Sequence, residues 1–154
     1  MKKFLFLPAI LLTWIVTTIS QTPQAALAGG LGNNYIAPSV TFGGGSSVFG
    51  IDSKFGLSKN VSLRPFISFP SNGTEFGGSL TYDWDLPQAA FPITPFIGVG
   101  IDLQTVNETT TTNGFAQIGA DLNVNSSLAL LGSLAIPFNG GGNTSFTLGA
   151  GFRF

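Results

Sequence analysis

The chain has 154 residues, six Lys and Arg against seven Asp and Glu, no Cys, no His and only 8% charged residues, where a soluble domain has roughly 25%. That length suits one domain, and a formal charge of -1 offers no basic surface to nucleic acid. The absence of Cys and His removes thiol nucleophiles, Ser–His pairs and the usual zinc, copper and haem ligand sets. Mean hydropathy is +0.38, yet beyond the first thirty residues no apolar run reaches the roughly 18 to 20 residues of a membrane-spanning helix.

The chain begins with Lys2 and Lys3, continues through an apolar stretch from Phe4 to Ile19, and reaches the small-residue site Ala26-Leu27-Ala28. A positive n-region, an apolar h-region and an A-x-A site form a secretory signal peptide. Pro8, Thr13 and the short span argue against an uncleaved anchor helix. Residues 1–28 are expected to be removed, with Ala26 and Ala28 marking the cleavage site, leaving residues 29–154 as one domain. That domain carries Lys54, Lys59, Arg64 and Arg153 against Asp52, Glu75, Asp83, Asp85, Asp102, Glu108 and Asp121.

Eight segments then alternate with period two, the signature of strands whose faces differ. The first is Tyr35–Gly43, with Ile36, Pro38, Val40 and Phe42 on its apolar face. Val48–Leu57 sets Phe49, Ile51, Phe55 and Leu57 against Asp52 and Lys54. Val61–Phe69 sets Leu63, Pro65 and Ile67 against Ser62, Arg64 and Phe66. Thr74–Leu86 is the clearest, with Phe76, Leu80, Tyr82 and Trp84 opposite Glu75, Ser79, Thr81, Asp83 and Asp85. Ile93–Leu103 follows, then a polar connection, Gln104–Asn113, read as the longest loop. Gly114–Val124, Leu128–Phe138 and Thr144–Phe154 complete the set. Pro65 inside its segment disturbs the expected register there.

Each segment is about as long as the 9–11 residues of a tilted membrane strand. A secreted β-sandwich or lipocalin shares short strands and frequent turns, but it hides its apolar face and decorates its outside with charge. Here the charges share the polar face, apart from Lys59 and Glu108 in connections, and the apolar face is nearly continuous. The pattern predicts an all-β, eight-stranded antiparallel up-and-down transmembrane β-barrel.

The terminal residues Thr147-x-Gly149-x-x-Phe152-x-Phe154 resemble the C-terminal assembly signal of bacterial outer-membrane β-barrels. With them, Tyr35–Phe154 resembles the small eight-stranded outer-membrane proteins of the OmpX and OmpA-barrel kind. The resemblance implies export through the secretion translocon, recognition by the barrel assembly machinery, and residence as a monomeric barrel among outer-membrane lipid with both chain ends periplasmic. Ser58–Asn60, Pro87–Pro92 and Asn125–Ser127 are then periplasmic turns. Gly43–Ser47, Pro70–Gly73, Gln104–Asn113 and Asn139–Asn143 lie outside. No peptidoglycan-binding module is expected beyond Phe154. The resemblance fixes no single activity, because this barrel hosts several.

Little in the sequence carries chemistry. Asp83 and Asp85 could act as an acid/base pair, but paired carboxylates on one strand face read more simply as interior structure. The lipid-modifying barrel enzymes rely on His, so no catalytic residue, cofactor or metal is expected. The N-x-[ST] sequons at Asn60, Asn72, Asn107, Asn125 and Asn143 and the glycine clusters Gly43–Gly45 and Gly140–Gly142 read as turns. Tyr82, Trp84, Phe152 and Phe154 fall where interfacial aromatics collect. Lys54, Arg64, Asp83 and Asp121 each lie about three residues from a periplasmic turn, with Asp85 and Arg153 just beneath. Opposite charges at one depth of a low-dielectric lumen predict an ionic plug. The expected role is therefore structural or at the surface, with a filled lumen; the alternatives are a small ion-conducting pore and a lipid-modifying barrel enzyme.

Overall fold

The chain divides into residues 1–30 and a unit from Leu31 to Phe154. The computed structural model describes residues 33–84, 86, 92–106, 108–138 and 142–154. The signal peptide and its Ala26/Ala28 site, like Asp85, lie outside the described residues.

Alternation of Val, Ile, Leu and Phe with small or polar residues produces eight strands. They are β1 (Tyr35–Gly43), β2 (Ser46–Gly56), β3 (Val61–Phe69), β4 (Gly73–Asp83), β5 (Ile93–Val106), β6 (Thr109–Asn123), β7 (Leu128–Pro137) and β8 (Ser145–Arg153). Each pairs antiparallel with its sequence neighbours, and β1 pairs with β8, so the sheet closes into a barrel without a free edge strand. Closure satisfies the strand ladders internally, which a lipid environment demands.

The faces separate as the period requires. Outward side chains such as Phe49, Leu80, Ile97, Val99, Ile118 and Leu148 are 47–59% exposed. A soluble monomer rarely exposes a contiguous apolar patch above a few hundred Å²; here the patch is the entire wall. The inward positions hold the buried set, with Tyr35, Ala37, Phe96, Phe115, Ala129 and Leu131 beside Ser62, Ser68, Ser79, Thr81 and Ser133. Two inward glycines show how the rings fit. A Cβ on Gly119 would stand 2.6 Å from the Phe96 ring, and one on Gly100 would stand 2.5 Å from that of Phe115.

The connections differ from the sequence reading at one end of the barrel. Gln104–Asn113 is mostly strand: Gln104 pairs with Thr111, Thr105 with Thr110 and Val106 with Thr109. The β4 segment from Gly73 to Glu75 pairs along the far side of β5 up to Val106. Threonine is β-branched and suits the pleat, so the ladder extends through residues that are polar on both faces. The Thr105 and Thr110 hydroxyls lie 3.1 Å apart across the hairpin. Glu108 turns it with φ 68.

Two other connections at that end are also tight. Gly43 pairs with Ser46, so the β1–β2 turn consists of Gly44 and Gly45, with φ 58 and 80. Two successive positive φ values make the hairpin turn whose twist matches that of the strands, and glycine adopts them without Cβ strain. The β3–β4 turn is closed by the Gly73 N–H donating to the Pro70 carbonyl at 3.1 Å. At the end where β1 begins and β8 finishes, the terminus-bearing end of the barrel unit, the Asn125 side chain accepts from the Ser127 and Leu128 N–H groups, both at 2.8 Å. Such an Asx turn is the reason asparagine suits this position.

Pro65 keeps its place: it faces Gly78 on β4. On its other side the β2–β3 ladder is interrupted between the Asp52–Phe66 and Phe55–Leu63 pairs, where proline has no N–H to give. The register resumes unshifted, so Lys54 and Arg64 remain neighbours on the inner face.

Candidate functional site: an ion knot in the lumen

Four strands deliver charge to one depth of the lumen near the terminus-bearing end. Lys54 comes from β2, Arg64 from β3, Asp83 from the end of β4 and Asp121 from β6. All four are buried, with 1–6% exposure. Two cations side by side on adjacent strands repel one another, and here each carboxylate bridges both. Lys54 Nζ lies 2.8 Å from Asp83 and 2.9 Å from Asp121. Arg64 Nη2 lies 3.3 Å from Asp83 and 2.8 Å from Asp121. Two positive and two negative groups leave the cluster formally neutral.

Hydrogen bonding is complete around the guanidinium, which has five N–H donors. Its Nε donates to Thr81 Oγ1 at 3.0 Å, Nη1 to the Tyr35 hydroxyl and to Asp121 Oδ1, and Nη2 to both carboxylates. The Asp121 contact is bidentate, the geometry in which arginine and carboxylate bind with greatest directional specificity. Tyr35 also donates its own proton to Asp121 Oδ1 at 2.9 Å. Ser62 and Thr81 hydroxyls donate to Asp83 at 2.6 and 3.0 Å. The face of Phe96 lies 3.5 Å from Arg64 Cζ, a cation–π contact strengthened by exclusion of water.

A network in which both carboxylates and the guanidinium are saturated is rigid and specifies one arrangement. Burying four charges is costly, and it is tolerable here because each is paired and bonded. Chemically the cluster offers no nucleophile and no orphan base. Its two positive and two negative groups lie together on the inner face of the barrel.

Of the residues singled out from sequence, the structure brings together Lys54, Arg64, Asp83 and Asp121. Arg153 stands at the rim, its guanidinium donating to the Asn125 carbonyl at 2.6 Å and to the Asn33 side chain. Thr147 is inside the wall, sharing a 2.8 Å hydroxyl contact with Thr41 of β1. Gly149 packs close to the Pro38 carbonyl. Phe152 and Phe154 point outward, 66% and 52% exposed, and Phe154 approaches Phe55 with ring centroids 6.3 Å apart. Tyr82 and Trp84 meet edge to face at 5.4 Å. The participants not anticipated are Tyr35, Ser62, Thr81 and Phe96. All four lie at inward positions by strand parity, which is the signal that could have pointed to them.

Among solved structures, the N-terminal β-barrel domain of Pseudomonas aeruginosa OprF superposes with a TM-score of 0.63 at 16% identity, covering 81% of this chain and 99% of that one. The fold is that of a small outer-membrane β-barrel. A de novo designed transmembrane β-barrel superposes with a TM-score of 0.61 at 16% identity over 80% of this chain and 96% of its own. Escherichia coli outer membrane protein W gives 0.51 at 14% identity, over 80% and 98%. No family model and no curated protein matches the sequence. The outer-membrane barrel fold is thus carried by a sequence that shares little with these structures beyond alternation and closure.

Proposed function

We propose that the chain is an integral protein of the bacterial outer membrane with a structural or surface role, and that its lumen is closed to ions by the knot of Lys54, Arg64, Asp83 and Asp121. The observation that carries this reading is the completeness of the knot: Arg64 uses all its donors inside the barrel on Tyr35, Thr81, Asp83 and Asp121. An ion passing this level must break several charge-assisted bonds in a low-dielectric space. The apolar wall and the small-barrel fold support a bilayer location. The terminal Thr147, Gly149, Phe152 and Phe154 support recognition by the barrel assembly machinery after export through the secretion translocon. The reading assigns a monomer held by outer-membrane lipid, with no cofactor, no nucleic-acid partner and no catalysis.

Fractionation with a heat-sensitive band shift tests the location. Conductance in planar bilayers tests the closed lumen. The native chain should be silent, and Arg64→Ala should admit small ions or open intermittently. Steady conductance of the native chain would favour the pore reading instead. Deleting Phe154 should reduce outer-membrane levels; normal levels of the deleted protein would contradict the assembly role.

A further inference from the structure

The β5–β6 hairpin outruns its neighbour on one side. β5 and β6 stay paired up to Val106 and Thr109, and β4 follows β5 to that height through Gly73. β7 leaves β6 earlier, at the Phe115–Pro137 pair, with a last bond from the Phe138 N–H to the Gly114 carbonyl at 2.9 Å. Above Gly114, β6 has no strand partner on that side among the described residues, and Thr109–Thr112 are exposed. Phe138, 61% exposed, stands at the foot of this edge with its ring against Gly114, where an added Cβ would lie 2.9 Å from it.

Strand parity decides which groups the edge offers. Gly114 turns its carbonyl toward β7, and main-chain groups alternate sides along an antiparallel strand. The N–H and C=O of Thr112 and Thr110 therefore point the same way, away from β5. An open strand edge is a template for another chain, and proteins blunt such edges with lysine, proline or a bulge. Thr109–Asn113 carries none of these devices: it keeps an unbroken register with β5, and its β-branched threonines favour extension. The tip adds charge. Glu108 is exposed and held at φ 68, where glycine would be relaxed, and strain of this kind clusters where a residue is used on a ligand. Glu75 and Asp102 lie in the lumen at the same end, each bonded to a neutral partner, so the field around the hairpin favours a cation.

We propose that this edge docks an extended polypeptide segment of another protein that carries a basic residue. Main-chain bonds to Thr110 and Thr112 add a strand beside β6, and the cation meets Glu108. The inference rests on the outer-membrane surface reading above and names the partner chemistry that this surface fits.

The test uses the full chain folded in phosphatidylcholine nanodiscs, which leave both ends of the barrel open to solvent, with the heat-sensitive band shift as the check on folding. The probe is a fluorescent peptide of alternating lysine and threonine, followed by anisotropy. It should bind saturably at low salt. Glu108→Gln, high salt, or glutamate in place of the peptide's lysines should each weaken binding about three- to fivefold, the reach of an exposed ion pair. Thr112→Pro deletes an N–H that points away from β5, so the β5–β6 ladder is spared. That variant should keep the band shift and lose saturable binding, and a peptide methylated at its backbone nitrogens should not bind the native chain. Binding that survives Thr112→Pro or backbone methylation would reduce the contact to charge alone and overturn the proposal, as would no saturable binding by the native chain. Self-association of the native chain that Thr112→Pro abolishes, without peptide binding, would assign the edge to a second copy and also overturn it. A native chain that never folds in the discs shows no band shift, and that result removes the membrane reading and this proposal with it.

Discussion

The two halves of the lumen are filled by different chemistry. Near the termini, four charges and Tyr35 form a saturated knot whose members are at most 6% exposed. Toward the other end the acids are only half-buried and have neutral partners: Asn113 donates to Asp102 at 2.9 Å and Ser68 to Glu75 at 3.1 Å. Between them runs an uncharged chain in which Ser79 donates to Gln117 and Gln117 to Ser133. One half is locked by mutual dependence among charges, the other by independent contacts. A single deletion should therefore be severe in the first and mild in the second.

Asp121→Ala tests that contrast most strongly. It leaves Lys54 and Arg64 sharing one carboxylate and should cost about 3–5 kcal/mol in urea titrations of the vesicle-folded barrel. Glu75→Ala should cost no more than about 1.5 kcal/mol, the worth of an ordinary hydrogen bond. Equal losses would erase the difference between the halves. The wall gives the next effect: Leu80→Arg turns a charge toward lipid and should cost roughly 2–4 kcal/mol. Ser79→Arg points inward, but Ser79 is 2% exposed, so crowding should cost roughly 1–3 kcal/mol. A larger loss at Ser79 than at Leu80 would show that lumen packing outweighs lipid exposure.

A paired replacement sharpens the argument about mutual dependence. Arg64→Leu with Asp121→Leu removes one charge of each sign and leaves Lys54 beside Asp83. It should be less damaging than Asp121→Ala alone, because no charge is stranded; a fully additive double loss would mean the bonds act separately. The smallest expected change is at the other end. Glu108 holds φ 68, strained for a residue with a Cβ, and Glu108→Gly should raise stability by up to about 1 kcal/mol in the same titration.

Strand number and facing were legible in the sequence because one face is apolar from Ile36 to Phe154, and a one-residue slip would invert every side chain. The β5–β6 extension was not, since Thr109–Thr112 are polar on both faces and carry no period; pairing with Gly73–Glu75 decides it. The knot was legible as four inward charges at similar distance from turns. Its partners were harder to name. Strand tilt and stagger bring Tyr35, at the start of β1, against Asp121 near the end of β6, and counting along single strands cannot supply that stagger.

The barrel's closure also sets an order in time. Tyr35 of the first strand pairs with Arg153 of the last, and the Thr41 and Thr147 hydroxyls that meet across this seam are 106 residues apart in sequence. Every other seam joins strands made one after another. This one requires the first strand to wait, with one edge unsatisfied, until β8 has been made. The segment that completes the sheet is also the one that carries Phe152 and Phe154. A nascent chain stopped short of β8 has an open edge and no way to seal it, so incomplete copies are marked by their inability to close.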